Sequence, residues 1–223
     1  INASYTKIKV IDNETSTGIA NNLNNALKSV DTDYFFVLDH DDLIDPCAIE
    51  ILSFELSKKR FDYIYSDEAK ITEGNVKFGY FFKPDWSPYN LLANMYSCHL
   101  SLFKKEIAER IGGYNSDFDG CQDFDFLLRY IASKDVSVSH IPKCLYYWRA
   151  WSKSTAQSLS AKPLAYQRQK NALKNFLDNQ GINFTLNPSK IEGSHLVKFI
   201  PKKYDLVSIV IPTANKSIII DGD

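Results

Sequence analysis

The hydrophobic positions of this chain alternate between continuous apolar runs and helical spacing. Residues 34–38 form an apolar run typical of a strand buried on both faces, and residues 61–66 predict another strand. Between them, Asp45 and Pro46 provide an N-cap and a first-turn proline for a helix that ends near Lys59. Repeated strand–helix–strand units of this kind predict an α/β fold with a mostly parallel sheet flanked by helices.

The same patterns predict elements along the rest of the chain. Thr17 is the expected cap of a helix at residues 18–29, and Gly112 with Gly113 ends a helix that starts at Lys104. A further helix starts at Gln122, where Phe126, Leu127, Tyr130 and Ile131 make an apolar stripe. The other predicted elements are strands at residues 7–11, 97–103, 136–141, 145–148 and 207–211, and a helix at residues 162–179.

Composition and charge exclude several classes of protein. The 26 Lys and Arg residues nearly balance 27 Asp and Glu residues, so the net charge of -1 provides no field that would attract nucleic acid. The four cysteines stand singly, without the close pairs of zinc ribbons or redox sites, which favours reduced thiols in the cytoplasm. No apolar segment approaches the roughly 20 residues of a membrane-spanning helix. A soluble, cytoplasmic domain is therefore expected.

An acidic loop follows the first apolar run. Asp39 and Asp41 stand where the carboxyl end of a strand would open, which is where α/β sheets bind ligands. Two carboxylates there suit Mg²⁺ or Mn²⁺ bridging a diphosphate. A solvated turn is the alternative for this pair, and the role of Asp42 is open.

Two other positions carry candidate chemistry. Asp123 lies in the first turn of a predicted helix, where the helix dipole favours an ionised carboxylate that could accept a proton. Acids in first turns also serve stability alone. Arg149 stands among aromatic residues, as a phosphate clamp or as the outward-facing residue of a packed strand.

Taken in order, these motifs resemble the inverting glycosyltransferases of family 2, over roughly residues 7–157. The resemblance is carried by Gly18-Ile19-Ala20, Asn25-Ala26-Leu27, Leu38-Asp39-His40-Asp41-Asp42, Tyr65-Ser66-Asp67-Glu68, Phe82-Lys83-Pro84-Asp85-Trp86, Gly112-Gly113-Tyr114, Gln122-Asp123-Phe124-Asp125-Phe126 and Tyr147-Trp148-Arg149. Each motif is common by itself, whereas their joint order and spacing are specific. The resemblance implies a GT-A fold.

The resemblance also implies roles for single residues. Asp39 and Asp41 would bind Mn²⁺ or Mg²⁺, with Asp41 the direct ligand of the donor complex, and Asp123 would be the catalytic base. Many members carry Glu before that base, where this chain has Gln122. The expected substrate-binding residues are Asp67 near the donor sugar, Arg149 near the diphosphate, Lys83, and Trp86, which could stack on an acceptor ring or belong to the core.

The implied function is transfer of a sugar, with inversion, from a nucleotide-sugar donor to a saccharide or lipid-linked saccharide acceptor in bacterial surface polysaccharide synthesis. A degenerate carbohydrate- or nucleotide-binding scaffold is the main alternative. A haloacid-dehalogenase-type phosphatase also places Asp-x-Asp after a strand, but position 43 is Leu where that family has Thr or Val.

The resemblance suggests three regions. Residues 1–157 form the catalytic domain without its first strands, residues 158–203 a helical extension and linker, and residues 204–223 the start of a second, similar domain. Residues 207–211 could fill the vacant sheet position, within the chain or by exchange in a dimer. Association with the inner face of the membrane would depend on segments outside this chain.

Overall fold

The computed structural model describes residues 8–13, 15–150, 163–191, 193–204 and 206–212. The helices are α1 (Ile19–Lys28), α2 (Ala48–Lys58), α3 (Pro88–Ala93), α4 (Lys105–Arg110), α5 (Gln122–Ile131) and α6 (Pro163–Asn179), with a 3₁₀ turn at Ser116–Phe118. The strands are β1 (Tyr34–Phe36), β2 (Leu43–Ile44), β3 (Tyr63–Ile71), β4 (Lys77–Phe81), β5 (Ser101–Lys104), β6 (Val138–Arg149), β7 (Phe184–Pro188) and β8 (His195–Phe199).

The main sheet has the strand order β1-β5-β3-β6-β2, and β4 pairs with β3 beside this path. The α/β class is confirmed, but the expectation of a mostly parallel sheet is wrong for the described residues. Among these pairs only β3 and β6 run parallel. For β3 and β4 the reason is local, because β3 turns straight into β4 through the bend at Thr72 and Asn75, and a tight turn joins only antiparallel strands.

Strand β3 is the centre of the sheet and is longer than its apolar pattern predicts. It continues through Ser66, Asp67 and Glu68, which are 0%, 2% and 9% exposed. Sequence reasoning ends the strand at these polar residues because acids are seldom buried. The two acids are enclosed by other segments, since Asp67 contacts Lys83 and His140, and Glu68 contacts Lys83 and the backbone N–H of His99.

Strand β6 replaces the two short strands predicted at residues 136–141 and 145–148. Its pairing with β3 joins Ser66 to Ile141, Asp67 to Cys144 and Glu68 to Tyr146, so two residues of β6 bulge out at the first step and one at the second. One of the two is Pro142, which lacks an N–H for the ladder and is tolerated in a strand at such a bulge. The bulge lets one strand run on where the sequence suggests an interruption.

Helices and loops cover both faces of the sheet. Side chains alternate along β3, so Tyr63 and Tyr65 enter one core, with α5 and α6, while Ile64 enters the other, with α2. The first core is strongly aromatic, with Tyr63 stacked on Phe103 at a centroid distance of 5.0 Å. This core fixes α5 against the sheet and thereby positions the start of that helix.

The C-terminal part of the described chain packs onto this core. Ala172, Leu173 and Leu177 of α6 are buried in it, and the hairpin of β7 and β8 follows. The hairpin was not predicted, because its pairing is not visible in the apolar pattern of either segment. The proposed boundaries at residues 157 and 203 stay predictions.

Four smaller predictions differ from the structure. Residues 8–11 are not a strand. Gly18 rather than Thr17 takes the N-cap position of α1, and the Thr17 hydroxyl donates to Asn22 Oδ1 at 2.9 Å. Strand β1 is half-buried at a sheet edge instead of covered on both sides. Residues 207–211 pair with no strand in the described structure, with Val207 84% exposed, so they do not fill that edge within this chain. Exchange in a dimer stays a prediction.

Candidate functional site

The acidic loop lies directly after β1, as the sequence predicts. Partial desolvation raises the pKa of Asp39, and the negative charge of Asp41 raises it further, while His40 lowers it. The two carboxylates are therefore close enough to repel each other, a strain that a divalent cation would relieve. Among the residues that the structure describes, no group of three His, Cys, Asp or Glu side chains could hold a metal ion. Metal binding by Asp39 and Asp41 therefore stays a prediction.

Asp42 has a structural role that the sequence leaves open. The carboxylate is buried and accepts hydrogen bonds from the Tyr146 hydroxyl at 2.5 Å and from the Arg149 backbone N–H at 2.8 Å. Burial raises its pKa even though both hydrogen bonds act in the opposite direction. Asp42 thus anchors the acidic loop to the end of β6.

Arg149 completes this attachment. Its Nε donates to the backbone carbonyl of Asp41 at 2.7 Å, and its Nη1 donates to the Thr72 carbonyl at 3.1 Å and to Asn75 Oδ1 at 2.9 Å. The guanidinium therefore holds the acidic loop and the β3–β4 turn together. This contact places a positive charge beside the candidate metal site, and the predicted contact with a diphosphate stays a prediction.

Asp123 stands in the first turn of α5, with Oδ1 accepting the Phe124 N–H at 2.8 Å. Burial raises the pKa of its carboxyl, and the charge of Asp39 adds to this rise. The sequence argument expected the helix dipole to favour the ionised form, but desolvation outweighs it. Since Asp39 acts on Asp123 electrostatically, the fold brings the candidate base and the acidic loop to one region.

A cavity of about 450 Å³ opens beside Asp123. Its wall on the α5 side includes Cys121, and Asn94 and Met95 follow α3. The rest of the wall comes from residues that sequence reasoning missed, on α6 and on the turn before β8. Those residues reach the cavity through packing of distant elements, and no local signal in the sequence indicates it.

Two other predicted substrate residues, Asp67 on β3 and Lys83 after β4, lie in a separate cluster. Asp67 Oδ1 accepts the Lys83 backbone N–H at 2.8 Å and lies 3.0 Å from His140 Nε2. The Lys83 ammonium is fully buried, 3.0 Å from Glu68 and 2.5 Å from the His99 carbonyl. Burial and the Lys83 charge lower the pKa of His99 to about 4, so that imidazole is neutral.

Trp86 lies in the aromatic core. Its ring contacts Tyr63, Tyr65 and Tyr96 at centroid distances of 6.0 to 6.4 Å. These contacts agree with the core interpretation that the sequence left open for this residue. Asp67, Lys83 and Trp86 are absent from the described lining of the cavity beside Asp123, and their roles in substrate binding stay predictions.

The mixed sheet with flanking helices is the expected GT-A fold of glycosyltransferases. The model of the family described as Glycosyl transferase family 2 matches residues 1–112, half of the 223 residues. The chain therefore belongs to glycosyl transferase family 2. Asp123, α5 and α6 lie beyond the matched residues.

Curated relatives extend the similarity over most of the chain. An uncharacterized protein, y4gI, of Sinorhizobium fredii is 35% identical over 93% of this chain, which spans 23% of that protein. The O-antigen biosynthesis protein RfbC of Myxococcus xanthus is 27% identical over 92% of the chain, which spans 16% of it. An uncharacterized glycosyltransferase of Haemophilus influenzae is 28% identical over 82% of the chain, and the matched region covers 65% of that protein. The chain thus corresponds to less than two thirds of each of these relatives.

Among solved structures, TarS residues 1–349 of S. aureus in complex with UDP-GlcNAc has a TM-score of 0.58 and 16% identity. The alignment covers 76% of this chain and 50% of TarS 1–349. This similarity supports the fold. Within the part of the chain that the structure describes, no helix has the length and apolar character needed to cross a membrane.

Proposed function

We propose that this chain transfers a sugar from a nucleoside-diphosphate sugar to an acceptor hydroxyl with inversion at the anomeric carbon. The observation that carries the proposal is the partly buried Asp123 carboxyl, which lines a cavity and is electrostatically coupled to the acidic loop. Membership of family 2 and the similarity to an O-antigen biosynthesis protein favour polysaccharide synthesis as its setting. The acceptor would be a saccharide or a lipid-linked saccharide, and the cytoplasmic side of the membrane its place of action.

Asp123 would act as the general base. A carboxylate with a raised pKa is a stronger base once it is ionised, so it can take the proton of an acceptor hydroxyl during attack. The acceptor oxygen forms the new bond to the anomeric carbon as the bond to the diphosphate breaks. The proton ends on Asp123, and the nucleoside diphosphate leaves.

Asp39 and Asp41 would hold the Mn²⁺ or Mg²⁺ of the donor complex. When bound, the cation neutralises the charge of the leaving diphosphate. Arg149 keeps the loop in position through the Asp41 carbonyl, and Asp42 keeps it on β6. The end of β6 thus holds the loop that would bind the leaving diphosphate.

The test is Asp123→Asn, assayed first with UDP-GlcNAc, the donor bound in the TarS structure, and then with other UDP-sugars. Turnover should fall about 10²- to 10⁴-fold with donor affinity nearly unchanged, since the substitution removes only the proton acceptor. The control is Asp125→Asn, because Asp125 is paired with Arg129 at 2.6 Å. It should retain turnover per folded molecule.

Two results would contradict the assignment. Loss of donor affinity in Asp123→Asn would show that the carboxylate acts as a structural cap of α5. Donor binding without turnover in the unmodified protein, across the UDP-sugars and acceptors tested, would support the degenerate scaffold instead.

A further inference from the structure

The cavity beside Asp123 has a second wall that is built entirely by the C-terminal part of the chain. Ala165 and Gln169 of α6 line it, together with Ile191, Gly193 and Ser194 of the turn before β8. All five residues lie beyond the region matched by the family model, which ends at residue 112. The site thus depends on a segment that the sequence analysis treats as an extension and linker.

This wall is held in a fixed position. Leu173 and Leu177 of α6 are fully buried in the aromatic core that also holds α5. Arg168 on α6 donates to the backbone carbonyl of Asp119, three residues before α5 begins. Both walls of the cavity are therefore tied to the same core, and their separation is set by packing.

A small network then orients Gln169. The Tyr166 ring stacks on the His195 imidazole at 4.9 Å, and the Tyr166 hydroxyl donates to the Ser194 carbonyl at 3.3 Å. His195 Nε2 lies 3.3 Å from Gln169 Oε1. Burial, with the Lys170 charge, lowers the pKa of His195, so the imidazole is neutral and can donate this proton to the amide oxygen. The described residues offer no hydrogen-bond partner to the Gln169 amide nitrogen.

The chemistry of the lining limits the ligand class. Asn94, Gln169 and Ser194 contribute amide and hydroxyl groups, while Met95 and Ile191 contribute apolar surface. No lysine or arginine belongs to the described lining, so a diphosphate has no counter-charge there. Neutral hydrogen-bonding groups beside apolar surface suit a ligand rich in hydroxyls with an apolar face, which is a sugar ring.

We propose that α6 and the turn before β8 form the acceptor wall of the site and that Gln169 determines specificity for a hydroxyl of a neutral saccharide acceptor. Tyr166 and His195 are positioning residues that act through Gln169. The inference rests on the proposed function, because the bound hydroxyl must lie near Asp123 to be activated. It also makes residues 163–199 part of the functional unit.

Met95 offers a direct probe, because it is the only methionine of the chain and lines this cavity. The protein is labelled at the methionine methyl with ¹³C, and its signal, assigned with Met95→Leu, is followed during titration with a panel of neutral methyl glycosides. At least one glycoside should shift the signal in a saturable way. In Gln169→Leu the dissociation constant of that glycoside should rise about 5- to 50-fold, since one hydrogen bond inside the cavity is lost.

The matched control is Gln167→Leu on the same helix, whose exposed amide donates to Asn171 Oδ1. It should leave the glycoside affinity unchanged, and thermal melting verifies that both variants are folded. His195→Ala should weaken binding to a similar extent as Gln169→Leu but have no added effect in the double variant.

Three outcomes would overturn the inference: no glycoside of the panel shifts Met95, Gln169→Leu binds as tightly as the unmodified protein, or Gln167→Leu weakens binding equally. Binding is read without turnover, so a failure of the proposed function is seen separately. If only the proposed function fails, glycosides still bind in a Gln169-dependent way, while no UDP-sugar releases UDP.

Discussion

The anchor of the acidic loop gives the sharpest prediction for stability. Tyr146→Phe removes the hydroxyl that donates to Asp42 Oδ2 at 2.5 Å, and it keeps the ring that stacks on His99 at 4.8 Å. The change therefore removes this hydrogen bond to a buried carboxylate, together with the longer one that the hydroxyl accepts from the Asp39 backbone N–H at 3.4 Å. Asp42 is 6% exposed, so water cannot easily replace the lost donor.

A hydrogen bond to a charged group contributes about 1.5 to 3 kcal/mol to stability. We expect Tyr146→Phe to lower the free energy of unfolding by that amount at neutral pH, and the melting temperature by about 3 to 10 °C for a domain of this size. The neighbouring Tyr147→Phe is the control. Its hydroxyl donates at 2.7 Å to Asp45, which is less buried than Asp42, so its loss should cost under about 1 kcal/mol.

The pH dependence follows from the sign of the Asp42 shift. Its pKa in the folded protein is raised above the ordinary value of 3.8, and the Tyr146 hydrogen bond lowers it. Removing this bond raises the pKa further, so ionisation of Asp42 costs more stability in Tyr146→Phe than in the unmodified protein. The difference should be fully present at neutral pH and should shrink as the pH falls toward 4.

Urea denaturation followed by circular dichroism at pH 7 and near pH 4 measures both quantities. The reasoning is refuted if Tyr146→Phe costs no more than Tyr147→Phe, or if its cost is the same at both pH values. Either result would mean that Asp42 is not a buried, charged acceptor.

Three further predictions concern other parts of the site. Asp41→Ala should weaken Mn²⁺-dependent UDP-GlcNAc binding at least tenfold by calorimetry, and unchanged affinity would remove Asp41 from the metal site. Lys83→Met should lower the free energy of unfolding by about 3 to 5 kcal/mol in urea, because it leaves the buried Glu68 carboxylate without its ion-pair partner; a smaller loss would mean that water reaches this carboxylate. Asp125→Asn should lower the free energy of unfolding by about 1 to 3 kcal/mol in the same assay by weakening the bond to Arg129, and an unchanged value would show that this pair does not contribute to stability.

The sequence predicts the parts of the site that are local. The acidic loop directly follows an apolar run, and Asp123 directly starts an apolar-striped helix, so both positions are determined by short-range patterns. The family resemblance predicts that the acidic loop and Asp123 belong to one site. Membership of family 2 is confirmed. Local pattern and resemblance together therefore predict the fold class and the two carboxylate regions.

The remaining features depend on contacts between distant segments. Gln169 and Ser194 face the cavity only because α6 packs on α5 and the hairpin closes beside it. Asp42 and Arg149 hold the loop through a pairing of residues far apart in the chain. The predicted end of β3 at Ser66 failed for the same reason, since neighbouring strands bury acids that a single-strand pattern leaves exposed.

The bulge in β6 has a consequence for how this chain can change in evolution. Three extra residues in β6, which are Pro142 and Lys143 at the first register shift and Leu145 at the second, set the register that brings Arg149 beside Ile71 and its backbone N–H to Asp42. Gain or loss of one residue between 138 and 149 would turn every later side chain of β6 to the opposite face. The turn after β3, at residues 72–76, carries no such constraint on side-chain direction. We therefore expect length variation in relatives to collect at that turn and to be selected against within β6.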